Sequence, residues 1–186
     1  MLIETFKIPI LSINLNIPRS KLIENINKIK KHKGRVMSNL NGYQSNDLDK
    51  ESAFLPLLKI IEEESNKLAN IVGIKNNLKV VNFWINCNKY GNSNIIHIHP
   101  GSIFSGSFYL KVPKESGSIV FRNPAANIVE TFWQNYIKGF TKFNSPTWKF
   151  FPLEGQLLIF PSWLEHYVET NNNKKEERIS IAFNLC

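Results

Sequence analysis

The stretch NFWINCNKYGNSNIIHIHPGSIFSGSFYL, residues 82–110, decides the fold. Two runs of aromatic and β-branched residues flank a turn at Asn88–Gly91, and a third begins after Pro100–Gly101. Their composition suits short pleated strands, and no helical period runs through them. From Tyr90 to Leu110 there are 21 consecutive uncharged residues. Two His, three Gly and a Pro lie among them, so the run is not a transmembrane helix. An uncharged polar run with two histidines has the character of a site.

The same texture continues to the C-terminus. Runs at 78–87, 94–99, 103–112, 117–122, 147–151, 156–161, 165–170 and 178–184 predict eight strands. Turn residues at Pro113–Gly117, Asn123–Pro124, Glu154–Gly155 and Asn171–Asn173 punctuate them, which argues for an antiparallel barrel or jelly roll. Residues 125–145 form an insertion whose Phe132, Trp133, Tyr136 and Phe140 predict a short helix or a lid. Towards the N-terminus, residues 2–17 read as extended. A helix opens at Pro18 and Ser20, carries Leu22, Ile26 and Ile29 on one face, and ends by Gly34. Residues 35–50 are polar and turn-rich. A second helix starts near Ser52, tolerates Pro56 in its first turn, buries Leu57, Leu58, Ile61, Leu68 and Val72, and stops at Gly73. The expected architecture is one domain over 1–186, mainly β. Residues 1–75 supply an extended segment and two helices that flank a core spanning 78–186.

Composition excludes several classes. With 42% hydrophobic residues, 13 Phe and 4 Trp among 186 residues, the chain has material for a core and is not disordered. Glu4 and Lys7 break the apolar start, so neither an export signal nor a membrane anchor is expected. Two cysteines, Cys87 and Cys186, make no disulfide framework and suggest reduced thiols in the cytoplasm. The net charge of +8 is spread evenly, with 12 basic and 8 acidic groups in 1–75 and 11 and 7 in 76–186. Only four of the 23 basic residues are Arg, the better phosphate fork. Nucleic-acid binding, which would rest on Lys28, Lys30, Lys31, Lys33 and Arg35, is therefore disfavoured against a solvated helix face. The surplus does favour an anionic substrate.

Three of the four histidines lie in strand-like settings. His97 and His99 are two apart and share one strand face near its end at Pro100. His166 follows Phe160-Pro161-Ser162-Trp163-Leu164-Glu165, and only tertiary structure can bring it to the other two. His32, in a lysine-rich turn, is expected at the surface. Symmetric pairing about residue 172 predicts a hairpin with His166 opposite Arg178. Ser180 and Ala182 would follow on that face, with Ile179, Ile181 and Phe183 on the other. A single strand histidine is most often a hydrogen-bonded core residue. Two on one face with a third and an arginine nearby point instead to a metal site, and three imidazoles suit Fe, Zn, Ni or Cu.

These residues resemble a known group. Asn82-x-Trp84-x-Asn86, Gly91, His97-Ile98-His99-Pro100 and Ser105-Gly106-x-x-Tyr109 resemble the iron(II)/2-oxoglutarate oxygenases of marine bacteria and their phages. So do Phe160-Pro161-Ser162-Trp163-Leu164-x-His166 and Arg178-x-Ser180-Ile181-x-Phe183-Asn184, with a weaker echo at Gln44-Ser45-Asn46-Asp47-Leu48. The resemblance implies a double-stranded β-helix, with Fe(II) held by His97, His99 and His166. It also implies 2-oxoglutarate and O2 as cosubstrates, with Arg178 gripping the far carboxylate and Ser180 and Asn86 assisting. His99 stands where the wider superfamily carries Asp or Glu. Phe83, Trp84, Phe108, Tyr109 and Trp163 are candidates to wall the pocket.

A second resemblance shares the barrel. Gly91 followed by His97-x-His99, and Gly155 followed by Pro161 and His166, resemble the two cupin motifs, without the cupin glutamate. It implies a three-His metalloenzyme of thiol-dioxygenase type, which needs no 2-oxoglutarate. A non-catalytic metal-binding module is the third alternative. The expected partner is a small-molecule or peptide substrate, and the strand-like residues 2–17 suggest pairing across a homodimer.

Overall fold

The computed structural model describes residues 1–48, 53–75 and 77–186. The strands among them are β1 (Leu11–Asn14), β2 (Asn39–Leu40), β3 (Tyr43–Gln44), β4 (Val80–Asn88), β5 (Ser93–His97) and β6 (Phe104–Lys111). They continue as β7 (Ile119–Arg122), β8 (Thr147–Phe150), β9 (Gln156–Pro161), β10 (His166–Val168) and β11 (Arg178–Leu185). The helices are α1 (Arg19–Ile29), α2 (Leu55–Val72) and α3 (Ala126–Trp133), the last continued by a 3-10 turn at Gln134–Tyr136. All eight expected strands are present. The second helix carries Pro56 in its first turn and ends at Gly73, as its sequence predicts; the expected start near Ser52 lies outside the described residues.

Two antiparallel sheets face each other. One has the order β1-β9-β6-β11-β4-β3, the other β2-β5-β10-β7-β8. Alternation along the first sheet divides its side chains. Phe83, Ile85, Phe108, Ile181 and Phe183 point outward and join Leu22, Ile26, Phe54, Leu57 and Ile61 in one buried cluster. That cluster is the reason α1 and α2 lie on this sheet: each helix has an apolar stripe with no other surface to cover it. On the inner face, Tyr109, Leu158 and Phe160 pack with Ile119, Phe121 and Leu164 between the sheets. Close packing also explains the Ser105-Gly106 pair. A Cβ on Gly106 would collide with the Leu158 carbonyl and the Phe183 ring.

Four expectations need correction or refinement. Residues 35–50 are turn-rich but contribute β2 and β3, which pair with β5 and β4. Of residues 2–17, only Leu11–Asn14 is a strand, and it pairs with β9 of the same chain. The strand bearing the histidine pair stops at His97, leaving His99 beyond it. Most consequentially, there is no hairpin between His166 and Arg178. β10 pairs with β5 and β7, setting His166 opposite His97 and Phe121, while β11 pairs with β4 and β6, setting Arg178 opposite Asn88. The intervening segment crosses from one sheet to the other. Asn171 steers it: the buried side-chain amide donates to the carbonyls of Asn88 and Glu176, and the backbone N–H donates to that of Asn92. No helix among the described residues is long and apolar enough to cross a membrane.

Candidate active site

His97 and His166 are direct cross-strand partners, with ring centroids 4.4 Å apart. His99, two residues further, is pinned by its N–H to the carbonyl of Ser162 at 2.9 Å. Its ring lies 5.0 Å from His97 and 5.1 Å from His166, and one ligand atom from each of the three falls within 4.8 Å of the others. His32 is exposed and takes no part. Nδ1 of His97 lies 2.7 Å from the Ile95 carbonyl, and Nδ1 of His166 lies 2.9 Å from that of Leu164. A carbonyl can only accept, so Nδ1 of each carries the proton and Nε2 keeps a free lone pair.

The electrostatics agree with that tautomer. Burial pushes His97 below the ordinary imidazole value, and it takes His99 to about 4 and His166 to about 3, aided in both by the neighbouring His97. All three are neutral donors at pH 7. The Nε2 atoms of His99 and His166 are 3.3 Å apart. Metal–nitrogen bonds of about 2.1 Å at right angles set two donors about 3 Å apart, so these rings stand close to the spacing of adjacent ligands.

Across the cavity stands Arg178, only 3% exposed. Its Nη1 donates to the carbonyls of Ser116 at 2.9 Å and Gly117 at 3.1 Å. Gly117 has φ of 82°, and a Cβ there would collide with the Glu169 carbonyl, so this turn needs glycine to present its oxygen. Burial disfavours the Arg178 charge, and among the described residues no carboxylate pairs with it. A buried cation without a counter-ion is costly, and it is an attractive seat for an anionic ligand.

The three histidines and Arg178 line one narrow cavity of about 50 Å3, with Asn86, Ser180 and Tyr109. Asn86 and Ser180 are cross-strand partners, so both project from the same face as Arg178. The Asn86 Oδ1 is buried without a hydrogen-bond partner among the described residues. No Asp or Glu lines the cavity among the described residues. Of the expected wall residues, Trp84 and Tyr109 line it; Phe83 and Phe108 belong to the helix-side core, and Trp163 is 54% exposed. Ser38 and Asn94 also line it, joined by a hydrogen bond from the Asn94 side-chain amide to the Ser38 hydroxyl at 3.3 Å. Ser38 gave no signal in the sequence because only the β2–β5 pairing brings it there. No residue of the 125–145 insertion lines the cavity among those described: the insertion is a helix with exposed aromatics.

The family model described as "Putative 2OG-Fe(II) oxygenase" matches residues 82–184, more than half of the chain. The chain belongs to this family. Among solved structures, this 2OG-Fe(II) oxygenase is similar to a Pseudomonas putida prolyl-4-hydroxylase, at 12% identity and a TM-score of 0.65, covering 96% of this chain and 92% of that one. It is also similar to the viral collagen prolyl hydroxylase of Paramecium bursaria Chlorella virus-1, solved with 2-oxoglutarate (2OG), at 16% identity, a TM-score of 0.59 and coverage of 95% and 94%. A third neighbour is HygX of Streptomyces hygroscopicus with nickel and 2-oxoglutarate bound, at 11% identity, a TM-score of 0.60 and coverage of 96% and 82%. At these identities the likeness establishes the fold, the double-stranded β-helix. No curated protein matches the chain. The family match favours the oxygenase over the cupin-type alternative, which shares the barrel.

Proposed function

We propose that this 2OG-Fe(II) oxygenase uses His97, His99 and His166 to hold Fe(II), and Arg178, assisted by Ser180 and Asn86, to hold 2-oxoglutarate. One observation carries the reading: three neutral, inward-facing imidazoles share a cavity with a buried arginine that has no counter-ion among the described residues. The donor set fits the metal, because imidazole suits iron, burial keeps each ring neutral, the His99 and His166 donors are 3.3 Å apart, and all three donor atoms lie within 4.8 Å of one another. The guanidinium fits the cosubstrate, since its two carbonyl contacts orient it and a carboxylate would neutralise it. Iron with 2-oxoglutarate and O2 supplies oxidation of a substrate C–H bond, with succinate and CO2 released. The protein binds and orients these reactants and keeps the inner cavity dry with Trp84, Phe160 and Ile119. The prime substrate is a small molecule or peptide, with the net charge of +8 favouring an anionic one. Cys87, whose buried thiol is pushed up to about 12, and the unpaired Cys186 support a reducing, cytoplasmic setting.

The test is anaerobic. Protein loaded with Fe(II) develops a visible charge-transfer absorption on addition of 2-oxoglutarate, and in air it converts 2-oxoglutarate slowly to succinate without added substrate. Arg178→Ala weakens 2-oxoglutarate binding about 10- to 150-fold, the equivalent of about 1.5–3 kcal/mol for a lost charge-assisted contact. Iron binding with neither absorption nor succinate would transfer the site to the cupin-type reading.

A further inference from the structure

The Gln44–Leu48 segment resembles the family pattern yet contributes no residue to the cavity wall among those described. The structure gives it another task. Its backbone is stapled to β4: the Ser45 N–H donates to the Ile85 carbonyl at 3.0 Å, the Ile85 N–H donates to the Ser45 hydroxyl at 3.0 Å, and the Leu48 N–H donates to the Phe83 carbonyl at 2.9 Å. Arg35 is attached to this segment at both ends. Its N–H donates to the Gln44 carbonyl at 2.8 Å, and its Nη2 donates to Asp47 Oδ1 at 2.7 Å. So held, the guanidinium carbon lies 5.5 Å from the centre of the Trp84 ring, within cation–π range, and the Arg35 Nε is buried without a hydrogen-bond partner among the described residues. Trp84, 7% exposed, in turn lies against His99, ring centres 5.7 Å apart and tilted by 33°.

His99 is the imidazole that most needs such support. It lies past the end of β5, and among the described residues no backbone carbonyl takes its Nδ1, in contrast with His97 and His166. We infer that the Asp47–Arg35 pair, acting through the Trp84 ring, positions His99 for metal binding. The inference rests on the reading of His99 as a metal ligand. Arg35, Asp47 and Trp84 are positioning residues: they fix the plane and reach of a ring whose backbone anchor alone leaves it free to swing. The basic run from Lys28 to Arg35 thus splits in role, with Arg35 turned to the site, Lys30 ion-paired with Glu177, and Lys28, Lys31 and Lys33 exposed.

Cobalt(II) tests this, because its visible ligand-field bands report the geometry of the site without turnover. In the full chain, Arg35→Ala and Asp47→Asn each weaken Co(II) affinity about ten-fold, the lower end of what loss of an outer supporting contact costs, and shift the bands. Arg35→Lys restores part of the affinity, since an ammonium keeps the charge over the ring but loses the planar fork to Asp47. Lys33→Ala, the control, changes neither quantity. Asp47→Asn is isosteric and half-exposed, so it folds even where Arg35→Ala does not. Wild-type affinity and bands in both Arg35→Ala and Asp47→Asn overturn the inference. If His99→Ala itself retains wild-type bands, the reading of His99 as a ligand fails first, and the two failures are distinct.

Discussion

At the scale of single residues, burial decides the chemistry. His97, His99 and His166 sit below the ordinary imidazole value because water is excluded, and neighbouring rings add to the effect on His99 and His166. The consequence for stability has a definite sign. Below about pH 6.5 the unfolded chain takes up protons that the folded site refuses until about 4 at His99 and about 3 at His166, so the metal-free fold loses stability as pH drops through that window. Denaturation midpoints at pH 7.5, 5.5 and 4.5 should fall in that order, and His166→Gln should flatten the trend. A midpoint independent of pH would mean that these rings are solvated. Metal retention gives the complementary check. His97→Ala, His99→Ala and His166→Ala should each abolish or sharply weaken iron retention in a desalted sample, with His32→Ala equal to wild type. Full occupancy in any of the first three would remove that residue from the ligand set.

At the scale of elements, legibility followed the origin of each element's hydrogen bonds. Strands such as β4, β6 and β11 announce themselves because alternate residues face a helix-covered core, as Phe83, Phe108 and Ile181 do. The two-residue strands β2 and β3 do not, since they exist through pairing with β5 and β4, formed by distant sequence. The histidine pair was legible from its spacing, and the inward face of Arg178, Ser180 and Ala182 from its alternation. The His166–Arg178 pairing was not. Local symmetry about residue 172 favours a hairpin, but Asn171 ties the link to the ends of β4 and β5 and carries it to the opposite sheet. The two residues still meet, across the cavity instead of along a ladder. Gly106 tests the packing that holds β6 between β9 and β11. Gly106→Ala must move a backbone carbonyl or a buried ring, so it should destabilise the fold by about 1–3 kcal/mol, read as a lower denaturation midpoint. An unchanged midpoint would show that β6 and β9 can part without cost.

At the scale of the whole molecule, the site is a junction between two sheets. His97 and His166 belong to β5 and β10 of one sheet, whereas Arg178, Ser180 and Asn86 belong to β11 and β4 of the other. Metal and cosubstrate held as proposed therefore load different sheets, and a 2-oxoglutarate reaching from the histidine side to Arg178 ties them together. Only the folded state offers this arrangement, so each ligand should raise the melting temperature by mass action. At a hundred times the dissociation constant the gain is about 2.7 kcal/mol, or about 5–10 °C for a domain of this size. The increments should separate genetically. Metal alone should stabilise wild type and Arg178→Ala equally, because the histidines are untouched, and a chelator should reverse the gain in both. Added 2-oxoglutarate should raise the wild type further under anaerobic conditions while giving Arg178→Ala little beyond the metal increment. Arg178→Lys should fall between them, since an ammonium supplies the charge but not the paired fork. Succinate, which lacks the keto oxygen, should add less than 2-oxoglutarate in the metal-loaded wild type. If the 2-oxoglutarate increment survives Arg178→Ala in full, the cosubstrate is held elsewhere, and the buried guanidinium serves the sheet packing alone.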